Sequence, residues 1–114
     1  MSKLRITYKT RNVNSKRLLN DFTNFIDDVS SDHIVIQSSF LDHTYTYDEL
    51  VQIIEMYLID LAEKNVITQY DMVADHRVND AVAIAKGNIN ILVHFRQTNC
   101  LNVTEILTTF KNVT

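Results

Sequence analysis

The chain contains no proline and one glycine, Gly87, in 114 residues. In an average protein these two types together supply roughly 12% of positions. Without them, most turns must be made by Asn, Asp, Ser and Thr, whose short polar side chains bond to nearby backbone. The expected result is a framework of regular elements joined by such turns. Glycine-rich phosphate loops are excluded, because they need several glycines in one loop.

Hydrophobic residues make up 46% of the chain, enough for one domain with a real core. No apolar run approaches the length of a membrane span. The start, M-S-K-L-R-I-T-Y-K, is basic but has no apolar stretch behind it, so no signal peptide is read there. The single cysteine, Cys100, excludes an internal disulfide and a multi-cysteine zinc site. A reducing, cytosolic setting fits it. The Asn-x-Thr sequons at Asn102 and Asn112 are read as chance.

Charge is spread unevenly. Lys3, Arg5, Lys9, Arg11, Lys16 and Arg17 all precede the first acid, Asp21, and every acidic residue lies from Asp21 onward. The net charge of −3 therefore hides a basic beginning.

Periodicity gives the elements. Leu4, Ile6 and Tyr8 alternate with Lys3, Arg5, Thr7 and Lys9, which predicts a strand with one apolar and one basic face. Asn14 or Ser15 can cap a helix running to about Val29, with Leu18, Phe22, Phe25, Ile26 and Val29 as its apolar stripe. Ser30, Ser31 and Asp32 are expected to break it. His33 to Gln37 (H-I-V-I-Q) is β-branched and reads as a strand. Phe40 to Tyr47 reads as a connector. Thr46 and Glu49 then form a capping box. The next helix presents Leu50, Ile53, Ile54, Tyr57, Leu58 and Leu61 on one face and ends near Asn65.

Ile67 to Ala74 reads as a strand. Ala81 to Ala85 (A-V-A-I-A) and Ile89 to Phe95 read as a pair of strands turning at Lys86-Gly87-Asn88, where the glycine supplies positive φ. Leu101 to Phe110 alternates at first and then takes helical spacing, so a strand that turns helical late is expected. The sum is a single α+β domain over residues 1–114: a mostly antiparallel sheet covered by two helices, in the order roughly β-α-β-α-β-β-β-β.

Chemistry is sparse. Asp75, His76 and Asp80 form the densest polar cluster and could serve a metal or acid–base step, or simply a solvated turn; the turn is the stronger reading. Cys100 lacks a nucleophile signature and reads better as a small buried hydrophobe than as a catalytic group. His33, His43, His76 and His94 have no partners at metal-ligand spacing. No catalytic motif is present. The expectation is a non-enzymatic protein without cofactor or metal.

The basic first strand admits three readings. It can be an exposed strand whose lysines discourage aggregation. It can follow a phosphate backbone, with Arg5, Lys9 and Arg11 around Tyr8. It can meet the acidic helix of a neighbouring copy in a head-to-tail contact, the strand adding to the neighbour's sheet.

From Phe40 onward the chain resembles the C-terminal domain of contractile phage tail sheath proteins. Asp48 to Lys64 (D-E-L-V-Q-I-I-E-M-Y-L-I-D-L-A-E-K) takes the place of that domain's helix. Val66 to Asp75 (V-I-T-Q-Y-D-M-V-A-D) takes the place of its G-I-T-D-F-like strand. Val93 to Leu107 (V-H-F-R-Q-T-N-C-L-N-V-T-E-I-L) takes the place of its K-P-A-R-S-I-N-F-I-like closing segment, with Arg96 near the lysine and Leu101-Asn102-Val103 at the I-N-F. Gln97 stands where the family has proline. Glu63-Lys64-Asn65 stands where the related small baseplate protein carries E-P-R. The chain is much shorter than a sheath subunit.

The resemblance implies a structural tail component, sheath-like, sheath-initiating or sheath-capping, found in the virion tail and in host cytoplasm before assembly. Its partners would be copies of itself or other tail proteins, including sheath, baseplate and tube, without membrane. Subunits of that family lend strands to one another. The expected contact residues are then Leu4, Arg5, Ile6, Tyr8 and Lys9 in the first strand and Leu101, Asn102 and Val103 in the last, with residues 1–12 exchangeable between subunits. Removing them is expected to abolish assembly and leave a folded domain. The alternative is a small phage protein that binds nucleic acid or a host regulator through its basic arm.

Overall fold

Buried residues fall on every second position of Asn88–Gln97 and of Val103–Val113 as far as Phe110, and these two segments form the centre of the sheet. The computed structural model describes residues 3–33 and 47–113, with side chains over 5–29 and 49–111. Its elements are β1 (Lys3–Arg11), α1 (Lys16–His33), α2 (Tyr47–Glu63), β2 (Ile67–Val73), α3 (Ala81–Ala85), β3 (Asn88–Gln97) and β4 (Val103–Val113). The strands form one antiparallel sheet in the order β1-β4-β3-β2. The architecture is α+β, with α1 and α2 packed on one face of the sheet.

Register decides which residues meet the helices. Ile89, Ile91, Val93 and Phe95 of β3 stand opposite Phe110, Thr108, Ile106 and Thr104 of β4. All eight are buried. They face Leu18, Phe22 and Ile26 of α1 and Leu50, Ile54 and Leu58 of α2 in one apolar cluster. Each fully buried aliphatic or aromatic side chain contributes roughly 1.5–3 kcal/mol relative to exposure, so this layer holds the fold together. The two helices also touch each other. Phe25 stacks on Tyr57 with ring centroids 4.4 Å apart, and Phe22 meets the same ring edge-on at 5.9 Å. Burial raises the Tyr57 phenol above its usual range, and the charges of Asp21 and Asp60 add to the effect.

Asparagine does take over the work of glycine. The only non-glycine residues with positive φ among those described are Asn12, Asn65 and Asn99. Each sits in a connection: after β1, after α2, and between β3 and β4. Ser15 starts α1, accepting a hydrogen bond at 3.2 Å from the Leu18 backbone N–H.

Four local expectations need correction. Ser30–Asp32 do not end α1, which continues to His33, so no strand begins at His33. Residues 34–46 lie outside the described region, and with them the rest of that strand, the connector and Thr46 of the capping box. Ala81–Ala85 is not a strand. Alanine favours helix, and Asp80 caps this one by accepting the Ala83 N–H at 2.8 Å. Gly87, at φ +76°, therefore ends a helix rather than turning a hairpin, donating its N–H to the Ile84 carbonyl at 2.9 Å. Lastly, β4 remains a strand through Val113. Its helical-looking spacing arises because Leu107 belongs to the opposite sheet face from Ile106, Thr108 and Phe110.

Candidate docking surface of the sheet

The face turned away from α1 and α2 follows from the same register. Across the four strands it reads, row by row, Arg11–Glu105–His94–Asp71, then Lys9–Leu107–Leu92–Val73, then Thr7–Thr109–Asn90, then Arg5–Lys111–Asn88. A fifth row pairs Val103 with Arg96 and Gln69. The centre is apolar, with Leu92 beside Leu107. The β1 margin is basic. Arg5, Lys9, Arg11 and Lys111 are all exposed. Arg5 stands directly opposite Lys111, a like-charge cross-strand pair that is unfavourable on its own.

Toward β2 the face carries the sheet's histidine. His94 Nε2 lies 3.6 Å from Glu105 Oε1, and Asp71 is its neighbour in register on the other side. Nε2 is buried and has no hydrogen-bond partner among the described residues. A cavity of about 270 Å³ opens here, lined by Gln69, Tyr70, Asp71, His94, Phe95 and Val103.

Beyond Val73, β2 leaves the sheet, and a side chain continues its role. The amide of Asn79 accepts the Asn90 backbone N–H at 2.6 Å and donates to the Asn90 carbonyl at 2.8 Å, as a paired strand residue would. It also reaches the Ala74 carbonyl at 3.1 Å. The Asn90 side chain in turn donates to the Val78 carbonyl and accepts from Thr109. This network seals the β3 edge where a peptide group would otherwise lack a partner.

The other polar cluster has structural duties. Asp75 grips Arg77 with hydrogen bonds at 2.9 Å to both Nε and Nη2 and accepts the Arg77 backbone N–H. These bonds hold its carboxyl down to about 2. Asp80 caps α3. Asp75, His76 and Asp80 are all exposed. Among the described residues, no three His, Cys, Asp or Glu side chains come together as a metal site. Cys100 is a half-buried free thiol in the turn before β4.

The expected contact residues separate by position. Arg5 and Lys9 lie exposed on the open face. Ile6 and Tyr8 point the other way and pack against the core. Leu4 pairs with Asn112 in the sheet, and its side chain lies outside the described set. Leu101 is 92% exposed, in the bend before β4. The Asn102 carbonyl, in the same bend, accepts a hydrogen bond from Asn14. Val103 opens β4 and lines the cavity.

Strand β4 is paired on both sides, by β1 and by β3, so it offers no edge. The free edges among the described strands belong to β1 and β2. Removal of residues 1–12 also loses its simplicity as a test. It would strip nine cross-strand pairs from β4, together with the packing of Ile6 and Tyr8.

Lys111, the Leu92–Leu107 centre and Arg96 escaped the sequence reading as contact residues. Period two places them on one face, but only the pairing of distant strands brings them beside the basic strand. No protein-family model, curated protein or solved structure matches the chain.

Proposed function

We propose that this chain is a non-enzymatic assembly component that joins neighbouring subunits by β-strand augmentation along the outer edge of β1. One observation carries the reading: β1 is nine residues long and hydrogen-bonds only to β4 among the described strands. Its other side presents a row of main-chain donors and acceptors, which is what an added strand needs. The resemblance to contractile tail sheath proteins supports copies of this chain or other tail proteins as neighbours, with the virion tail as the place of action. No described helix is long and apolar enough to cross a membrane.

The test uses proline, which removes one backbone donor. Along an antiparallel strand, alternate residues direct their N–H inward and outward. Thr7 and Thr10 differ in parity, so one of the two points its N–H toward β4 and the other away. Of Thr7→Pro and Thr10→Pro, one is expected to weaken the fold. The other should keep the circular dichroism spectrum and lose concentration-dependent assembly in sedimentation velocity. If the well-folded proline variant assembles as the original does, the edge is not the contact.

The basic margin favours a second reading, binding of nucleic acid or a host regulator through Arg5, Lys9 and Arg11. Phosphate binding weakens steeply with salt. Filter retention of nucleic acid that falls between low and high salt would support it, and no retention at low salt would remove it.

A further inference from the structure

The two faces of the molecule carry opposite charge. On the open sheet face, Arg5, Lys9, Arg11, Lys111 and half-buried Arg96 outnumber Glu105 and Asp71. On the outer side of the helical layer, α2 presents Glu49, Gln52, Met56, Asp60 and Glu63 along one stripe, each exposed, with Asp60 paired to Lys64 at 2.8 Å and so contributing less to the stripe's charge. Helical geometry places these residues on one face, since steps of three and four return to the same side.

Each face also has an apolar centre. Met56 is 68% exposed in the middle of the acidic stripe. Met56 is flexible and polarisable, so it can adapt to an apolar surface brought against the stripe. Its counterpart is the Leu92–Leu107 pair, which sits beside Lys9 in the same cross-strand row. The opposed cations Arg5 and Lys111 gain most from an acid supplied by another molecule.

We infer that copies of this chain associate head to tail, the open sheet face of one copy seated on the acidic outer stripe of α2 in the next. The inference rests on the assembly reading above and adds to it a contact separate from the β1 edge. Met56 packs over Leu92 and Leu107, while Glu49 and Glu63 approach Lys9, Arg11 and Lys111. The contact joins unlike surfaces, so each copy keeps one face of each kind available.

Two double variants test it, each altering exposed side chains only: Lys9→Glu with Lys111→Glu on the sheet face, and Met56→Lys with Glu63→Lys on α2. Sedimentation velocity is run at about 0.05 M and about 0.5 M salt, which shortens the screening length roughly threefold. The unaltered chain should associate at low salt and dissociate at high salt. Each double variant alone should associate more weakly, on the order of tenfold or more.

An equimolar mixture of the two variants should form a 1:1 complex, because the sheet-face variant retains its α2 stripe and the α2 variant retains its sheet face. Association that ignores salt, or a mixture no larger than its components, overturns the inference. Nucleic-acid retention lost in the sheet-face variant, without self-association, also overturns it and assigns the face to nucleic acid.

The fold-preserving proline variant separates this contact from the edge. If the edge reading alone fails, proline leaves assembly unchanged while charge reversal abolishes it. If the face contact alone fails, the opposite pattern appears.

Discussion

Thr108 is fully buried opposite Ile91, and its Oγ1 has no hydrogen-bond partner among the described residues. An unpaired buried hydroxyl costs about 1–3 kcal/mol, and valine has nearly the same shape without it. Thr108→Val is therefore expected to raise stability by about 1 kcal/mol, a shift of roughly 4–8 °C in Tm, measured by thermal melting. Tyr8 makes the opposite kind of contact. Its hydroxyl donates to Asp27 Oδ1 at 2.8 Å, with the Thr23 carbonyl 3.2 Å away.

Burial, then the Asp27 hydrogen bond and the Asp27 charge, push the Tyr8 phenol well above its ordinary value of 10.0. The folded state then keeps a proton that the unfolded state releases, so Tyr8's contribution is complete below pH 10 and is lost as pH rises beyond it. An alkaline titration followed by tyrosinate absorbance should show a late phase to which both Tyr8 and Tyr57 contribute. Tyr8→Phe should reduce the amplitude of that phase, and an unchanged amplitude would exclude Tyr8 as a source.

At the scale of elements, β1 completes the sheet rather than decorating it. Ile6 and Tyr8 cover the outer side of Phe110 and Thr108, their partners in register. Deleting residues 1–12 should therefore destabilise the domain by several kcal/mol, because it would uncover the now fully buried Phe110 and Ile106. Urea denaturation would measure this, and an unchanged midpoint would show β1 to be dispensable.

How legible each element was depended on how much of its pattern was local. The α2 stripe and the alternation of β3 could be read directly, because one buried face sets each. Ala81–Ala85 could not: its Val82 and Ile84 are 61% and 49% exposed, so their apolarity reports no core. In β4, Leu107 broke the alternation because the open face has an apolar centre of its own. The docking face was half legible. The basic strand stands out in the sequence, but its alignment with Lys111 and the two leucines depends on pairing across some hundred residues.

For the whole molecule, a net charge of −3 describes neither face. A protein of sequence pI about 5.7 is expected to pass through a cation exchanger at neutral pH. With its basic residues gathered on one sheet face, this one should be retained at low ionic strength and released by salt, since local potential governs such binding. Lys9→Glu with Lys111→Glu should flow through. Equal elution of the two proteins would mean that the basic margin does not act as a unit.

The pairing of Lys3 with Val113 has a consequence in time. β1 is synthesised some hundred residues before β4, so the loop between them closes only when synthesis of β4 is done. Until then the apolar side of β1 has no place of its own to pack. The backbone groups of β1 that β4 will pair with stay unmatched for the same interval, so β1 is the part of the fold that is secured last.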